Sequence, residues 1–304
     1  MLLDTASLYF RAFFGVPSIE ASDGTPVNAA RGLVDFITRL IRTYEPSAVV
    51  CCWDNDWRPQ WRVALVPSYK AHRVADEGAS NGDVEQVPEA LLVQVPIIEQ
   101  TLAALGLPVI GVDGYEADDV IGTLATDAGR PVDVVTGDRD LFQLVDDAAD
   151  VRVIYVARGV SNAEVVDASW IRAKYGVEPS QYADFATLRG DTSDGLPGVA
   201  GVGEKTAAGL LARHGSLSAI LAAARDPESG MAASPRRRIL AAADYLSPAA
   251  EVVRVARDLP IPREQIVELP REFTAPERNR LDELARRYNL SGPLERLTDL
   301  LEDR

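Results

Sequence analysis

Acidic residues recur in this chain where a carboxylate is most useful to a metal ion and most costly to a fold. MLLD places Asp4 after an apolar run, AVVCCWD places Asp54 after another, and PVDVVTGDRDL places Asp138 and Asp140 after a third, with Gly137 allowing the turn. YEADDV carries Glu116, Asp118 and Asp119 within four residues, and LRGDTSDGLPGV adds Asp191 and Asp194. Carboxylates this close repel one another and lose hydration when buried. Oxygen donors with no Cys or His nearby suit Mg²⁺ or Mn²⁺ rather than zinc, and His72 and His214 are too scattered to build a zinc site. Taken alone, YEADDV is better explained by acids complementing the positive end of a helix dipole. The Asp191/Asp194 pair alone fits an Asx turn as well as a ligand pair. Three strand ends delivering aspartates to one sheet edge shift the reading to a metal site.

The elements that must position these acids alternate in the first half of the chain. Short apolar runs predict strands at Met1 to Leu3, Ala48 to Trp53, Val109 to Gly111, Val132 to Thr136 and near Val151 to Val156. Helical periodicity predicts helices around Ala29 to Tyr44, Pro88 to Leu105, Ala117 to Ala128 and Leu141 to Val145. The fold class is therefore α/β, with a mostly parallel sheet flanked by helices. In a helix starting near Glu116, the residues Ala117, Val120, Ile121, Leu124 and Ala125 form the buried stripe. Glu116 and Asp119 then share the opposite flank while Asp118 points elsewhere. Asp191 and Asp194, three apart, are expected side by side on a helical turn that Gly195 and Pro197 break. From about Trp170 helical patterns dominate, except for Leu259 to Pro276, whose prolines predict an extended run. The expected division is an α/β domain over 1–175 and a helical region over 176–304, whose tail packs back on the first. Arg73 to Val87 is polar and acidic enough to be mobile.

LPGVAGVGEKTAAGLLARHGS invites a phosphate-loop reading and fails it. Glu204 separates Gly203 from Lys205, and no strand precedes the glycines. It reads instead as a tight turn at Gly201 to Gly203 followed by a helix from Glu204 to Arg213. Glycines there let the backbone approach a DNA phosphate, with Lys205 and the helix N-terminus adding favourable charge.

Composition sets the remaining bounds. Hydrophobic residues make up 47% and charged residues 25% of the 304, as in an ordinary globular protein. The formal net charge of −15 argues against a nucleic-acid partner unless bound cations offset clustered acids. The adjacent Cys51 and Cys52 point to opposite faces of a strand, make a poor disulfide pair and fit a reducing cytoplasm. No run predicts a membrane span, and MLLDTASLYF does not read as a signal peptide.

Assembled in order, the motifs LLD with YFRAF, VVCCWD with WR, PSYKAHR, GYEADDVIGTLA, TGDRDLFQL, GDTSDGLPGVAGVGEKTA and LLARHGSL resemble the bacterial 5′ nuclease (flap endonuclease) family. That family often forms the N-terminal domain of DNA polymerase I. The resemblance implies a Rossmann-like, PIN-like nuclease domain and a helix-three-turn-helix element over about 185–225 that grips duplex DNA, with K⁺ as a candidate ion there. It implies two or more divalent ions held by Asp4, Glu116, Asp118, Asp119, Asp138, Asp140, Asp191 and Asp194. Lys70 and Arg73 would be the basic pair at the scissile phosphate, on one face if Tyr69 to Arg73 is helical. Asp54 and Arg62 would support the site. Arg11, Tyr69, Gly201, Gly203, Lys205 and Thr206 would contact DNA, with Tyr69 a possible stacking platform within an arch over about 69–95.

The implied activity is metal-dependent 5′-3′ exonuclease and flap-endonuclease cleavage of flapped, nicked or gapped DNA in replication and repair. RNA at primer 5′ ends is a further substrate, and the protein would act as a cytoplasmic, nucleoid-associated monomer. Three departures accompany the resemblance: a short first strand before Asp4, an acidic arch, and Gly195 where Asn is more usual. With no polymerase domain after residue 304 and a polar tail, LTDLLEDR, a free-standing member is expected. A catalytically weak DNA-junction binder of the same fold is the alternative, and an RNA-directed PIN-like nuclease is a third reading.

Overall fold

A computed structural model describes residues 1–75 and 84–302. Six strands form one sheet: β1 (Leu2–Asp4), β2 (Val50–Cys52), β3 (Val109–Ile110), β4 (Val132–Thr136), β5 (Val151–Tyr155) and β6 (Glu164–Val166). Their order is β3-β2-β1-β4-β5-β6, all parallel except β6, which runs antiparallel to β5 at the edge. The chain builds outward from β1 to β3, then returns to place β4 on the other side of β1. The switch point therefore falls between β1 and β4, and open α/β sheets bind ligands in the crevice at such a point.

Both sheet faces are covered. Leu2, Val50, Cys52 and Val134 face a core shared with Val120, Ile121 and Leu124 of the helix Ala117–Ala125. Leu3, Cys51 and Val135 face the opposite core, built with Leu33, Ile37 and Ile41 of the helix Asn28–Tyr44. The adjacent cysteines do point to opposite faces, both buried and both free. The first core runs without a break into the helical region through Tyr182, Phe185, Ala207 and Leu210. The C-terminal helices Ala275–Arg287 and Ser291–Glu302 lay Leu281, Leu294 and Leu297 in the second core. Arg296 also pairs with Asp35 at 2.6 Å. Among the described residues no single helix is long and apolar enough to cross a membrane.

Several expectations need correction. The helix Thr5–Gly15 and strand β6 were not foreseen. Pro88 to Leu105 is two helices, Glu89–Leu92 and Val95–Ala104, because Pro96 opens the second and cannot continue the first. The turn after β4 is a 3₁₀ helix, Asp140–Leu144. Leu259 to Pro276 is mostly extended, with a 3₁₀ turn at Arg263–Gln265 and a bridge from Glu268 to Ala48. Of the Arg73 to Val87 segment expected to be mobile, 76–83 lie outside the described residues. Its two ends pair through Val74 and Glu85.

Candidate active site

Every acid foreseen at a strand end lies at the carboxyl edge of the sheet. Asp4 ends β1 and caps the next helix, accepting from the Ser7 N–H at 3.1 Å. Its other oxygen accepts from the Thr136 hydroxyl at 2.7 Å. Thr136 in turn accepts from the Asp138 N–H at 2.9 Å, and Asp138 accepts from the Asp140 N–H at 2.9 Å. A single chain of hydrogen bonds thus fixes the acids of β1 and β4 relative to one another. The Gly137 N–H donates to the Ser7 hydroxyl at 3.0 Å and closes the junction from the other side. Sequence reading passed over Thr136 and Ser7; small hydroxyls flanking acids at strand ends were the available signal.

Burial raises the proton affinity of Asp4, Asp118 and Asp140, and neighbouring carboxylates add to it. The Asp4 carboxyl is pushed up to about 7 by burial first, then by Asp54. Burial, followed by Asp4 and Asp138, raises Asp118 well above the usual carboxylate range. Asp140 is raised likewise by burial, then by Asp138, Asp194 and Asp191. Asp138 therefore belongs to two groups: Asp4 and Asp118 on one side, Asp140, Asp191 and Asp194 on the other. Phe142 holds the loop that carries Asp138 and Asp140, wedged among the rings of Tyr155, Trp170 and Tyr182. Gln143 reinforces it by donating to the carbonyls of Asp140 and Val253.

Glu116 and Asp119 have a different environment from the one expected. Buried Arg62 donates to Glu116 at 2.6 Å and to both oxygens of Asp119 at 2.7 and 2.8 Å. Asp119 also accepts from the backbone N–H groups of Ala256 and Glu116, so both its oxygens are fully engaged. Glu116 takes Arg62, the Tyr69 hydroxyl at 2.7 Å and Lys70 Nζ. The expected opposite flank of this helix is thus an internal ion-pair network; Glu116 and Asp118 line the cleft, and Asp119 alone of the three does not. Asp54, next to them, accepts from the Ala117 N–H at 2.8 Å.

An open cleft of about 1440 Å³ lies over this edge, lined by Asp4, Asp54, Asp118, Asp138, Lys70 and Arg73. Hard oxygen donors with no thiol or imidazole fit a divalent cation of the Mg²⁺ or Mn²⁺ type. The buried Asp140 Oδ1 has no hydrogen-bond partner and is a ready-made lone pair for such an ion. Among the described residues no three carboxylates already enclose a common point, so ions would draw the side chains inward.

The 5′-3′ exonuclease N-terminal resolvase-like domain family matches residues 1–176, and the 5′-3′ exonuclease C-terminal SAM fold family matches 177–273. The chain belongs to the 5′-3′ exonuclease family. It is 56% identical to the 5′-3′ exonuclease of Streptomyces coelicolor over 99% of both chains. It is 50% identical to that of Mycobacterium tuberculosis, over 99% of this chain and 97% of the relative. A solved structure of the bacteriophage T5 flap endonuclease, described as a pseudo-enzyme-product complex with DNA and metal ions, shares the fold. Its TM-score is 0.63 at 18% identity, covering 99% of this chain and 98% of that one.

In this chain the basic pair is not on one helical face. Lys70 sits in the left-handed region at φ 49° and caps a 3₁₀ turn, Ala71–Arg73. Lys70 therefore reaches Glu116, while Arg73 turns to Asp194 at 3.0 Å and to the Ser193 carbonyl at 2.8 Å. Tyr69 is no stacking platform: its ring is 4% exposed and packs in a core with Val66, Ala183 and Leu196. Asp191 and Asp194 do not share a helical turn either. Asp191 opens a tight loop closed by paired backbone bonds to Leu196, Asp194 lies within it, and Asp191 accepts from the Ser193 N–H at 2.8 Å. The helix after the glycines spans Glu204–His214, and Gly201, Gly203, Lys205 and Thr206 are all exposed at its start. Arg11 lines the cleft.

Proposed function

We propose that the chain is a divalent-metal-dependent, structure-specific 5′ nuclease that hydrolyses DNA phosphodiesters at 5′ ends, flaps and nicks. The observation that carries this reading is the meeting of Asp4, Asp118 and Asp138 in one open cleft at the switch point of the sheet, beside a buried Asp140 Oδ1 that has no hydrogen-bond partner. When bound, Mg²⁺ or Mn²⁺ supplies the charge that acidifies a water and stabilises the oxygens of the reacting phosphate. Asp4, Asp118, Asp138, Asp140, Asp191 and Asp194 would hold those ions, with Thr136 keeping Asp4 and Asp138 in register. Glu116 and Asp119 anchor Lys70 and Arg62, Glu116 from the cleft wall and Asp119 from beneath it. Lys70 and Arg73 meet the scissile phosphate from two sides, each held by a carboxylate until substrate arrives. The exposed glycine turn and Lys205 bind the duplex backbone through N–H groups and charge.

K⁺ at the glycine turn has weaker support, because the Gly201 carbonyl accepts from Arg238 and the Val199 carbonyl from the Val202 N–H. Flapped, nicked or gapped DNA is the substrate, with RNA at primer 5′ ends a second. A monomer working on nucleoid DNA in the cytoplasm suits this role. The test compares 5′-labelled flap, nicked and single-stranded DNA with Mg²⁺, Mn²⁺ or chelator. Cleavage of flap and nick with either ion, abolished by chelator, is expected. No cleavage of any substrate with either metal would overturn the reading, and retained junction binding would then favour the accessory binder.

A further inference from the structure

The cleft that holds the carboxylates is also lined by Arg11, Arg158 and Asn162. Among the described residues neither arginine takes part in an ion pair. Arg11 makes one hydrogen bond, from Nη1 to the Ala157 carbonyl at 2.7 Å, and its buried Nε has no partner. Its guanidinium lies against Gly137: a Cβ there would stand 2.8 Å from Arg11 Nη2. Arg11 is therefore placed against the turn at Gly137, one residue before Asp138, with donors unspent. The bond to Ala157 also ties down the loop carrying Arg158, whose own carbonyl accepts from Asn162 Nδ2 at 3.2 Å. The Asn162 N–H donates to the Gly159 carbonyl at 2.9 Å and stiffens the same loop. Arg158 itself is exposed.

We infer that Arg158 and Arg11 form a phosphate clamp for the nucleotide on the 5′ side of the cleaved bond. This rests on the nuclease reading above. Two planar guanidinium forks with free donors match phosphate oxygens, and in a cleft this acidic they offset the repulsion an incoming phosphate meets. The glycine turn that would grip the duplex belongs to the helical region, whereas this clamp stands on the α/β domain beside β4 and β5. The part of the strand reaching it is the part leaving the duplex. For removal of one nucleotide, the clamped group is the 5′-terminal phosphate.

The test measures kcat/KM on recessed duplex ends carrying a 5′-phosphate or a 5′-hydroxyl, for the wild type, Arg158→Ala, Arg158→Lys and Lys205→Ala. Wild type should favour the phosphate by about tenfold, the worth of one charge-assisted pair. Arg158→Ala should bring that ratio close to one, with Arg158→Lys between. Lys205→Ala should lower both rates and leave the ratio unchanged. A wild type indifferent to the phosphate would overturn the clamp. So would an Arg158→Ala variant that keeps the ratio, including one that slows both ends alike, which would place Arg158 on an internal phosphate. Absence of cleavage at both ends by wild type would overturn the nuclease reading itself, and the clamp with it.

Discussion

Arg62 is 2% exposed and has acidic or carbonyl partners for each nitrogen of its fork, Val252 completing the set beside Glu116 and Asp119. Removing it leaves two buried carboxylates without their shared counter-charge, which costs about 3–5 kcal/mol. Arg62→Ala should lose that much in urea unfolding, and Arg62→Lys should recover only part, because an ammonium cannot make the two-pronged bond. Asp4 gives the pH-dependent counterpart. Its carboxyl is raised to about 7 in the fold, so between about 4 and 7 the native state holds a proton that the unfolded chain has released. Stability from Asp4 is present below that window and lost as pH rises through it. In chelator, Asp4→Asn should therefore gain stability over wild type at pH 8, and the gap should narrow at pH 5. A gap that widens on acidification would contradict the account.

Between residues and molecule lie the short loops, and these are what the sequence concealed. Five of the six strands, the carboxyl edge that carries the acids and the buried stripe of the Ala117–Ala125 helix were legible, because periodicity reports burial and burial is what folds an α/β sheet. The family motifs named the acids. The partners of Glu116 and Asp119 were not legible, since Arg62 and Lys70 reach them from over 40 residues away through a loop of unusual backbone. Nor was the shape of the loop carrying Asp191 and Asp194, where spacing by three suggests a helix and the glycines impose a turn. Gly195, at φ +68°, lies so close to Ser68 that a Cβ would collide with the Ser68 carbonyl oxygen. That contact lets the Asp194 carbonyl accept from the Lys70 N–H at 2.9 Å, joining the two walls of the site. Gly195→Ala should therefore cost about 1–3 kcal/mol in thermal unfolding and slow cleavage as Lys70 shifts. Unchanged stability and rate would show that the loop position does not matter.

At the scale of the whole molecule, a chain of formal charge −15 works on a polyanion by setting basic side chains among its clustered acids. The acids gather at one sheet edge, where cations can neutralise them, and basic side chains share that cleft and stand at the glycine turn. The two regions meet at Asp138. Asp4 and Asp118 come from the α/β half, Asp191 and Asp194 from the helical half, and the continuous core beneath them keeps the halves in register. The most direct measurement is single-turnover cleavage of a 5′-labelled flap in Mg²⁺ and in Mn²⁺ by wild type and Asp138→Ala, alongside junction affinity. Cleavage should fall by about a hundredfold or more while binding persists. Undiminished cleavage by Asp138→Ala in either metal would contradict the placement of the active site.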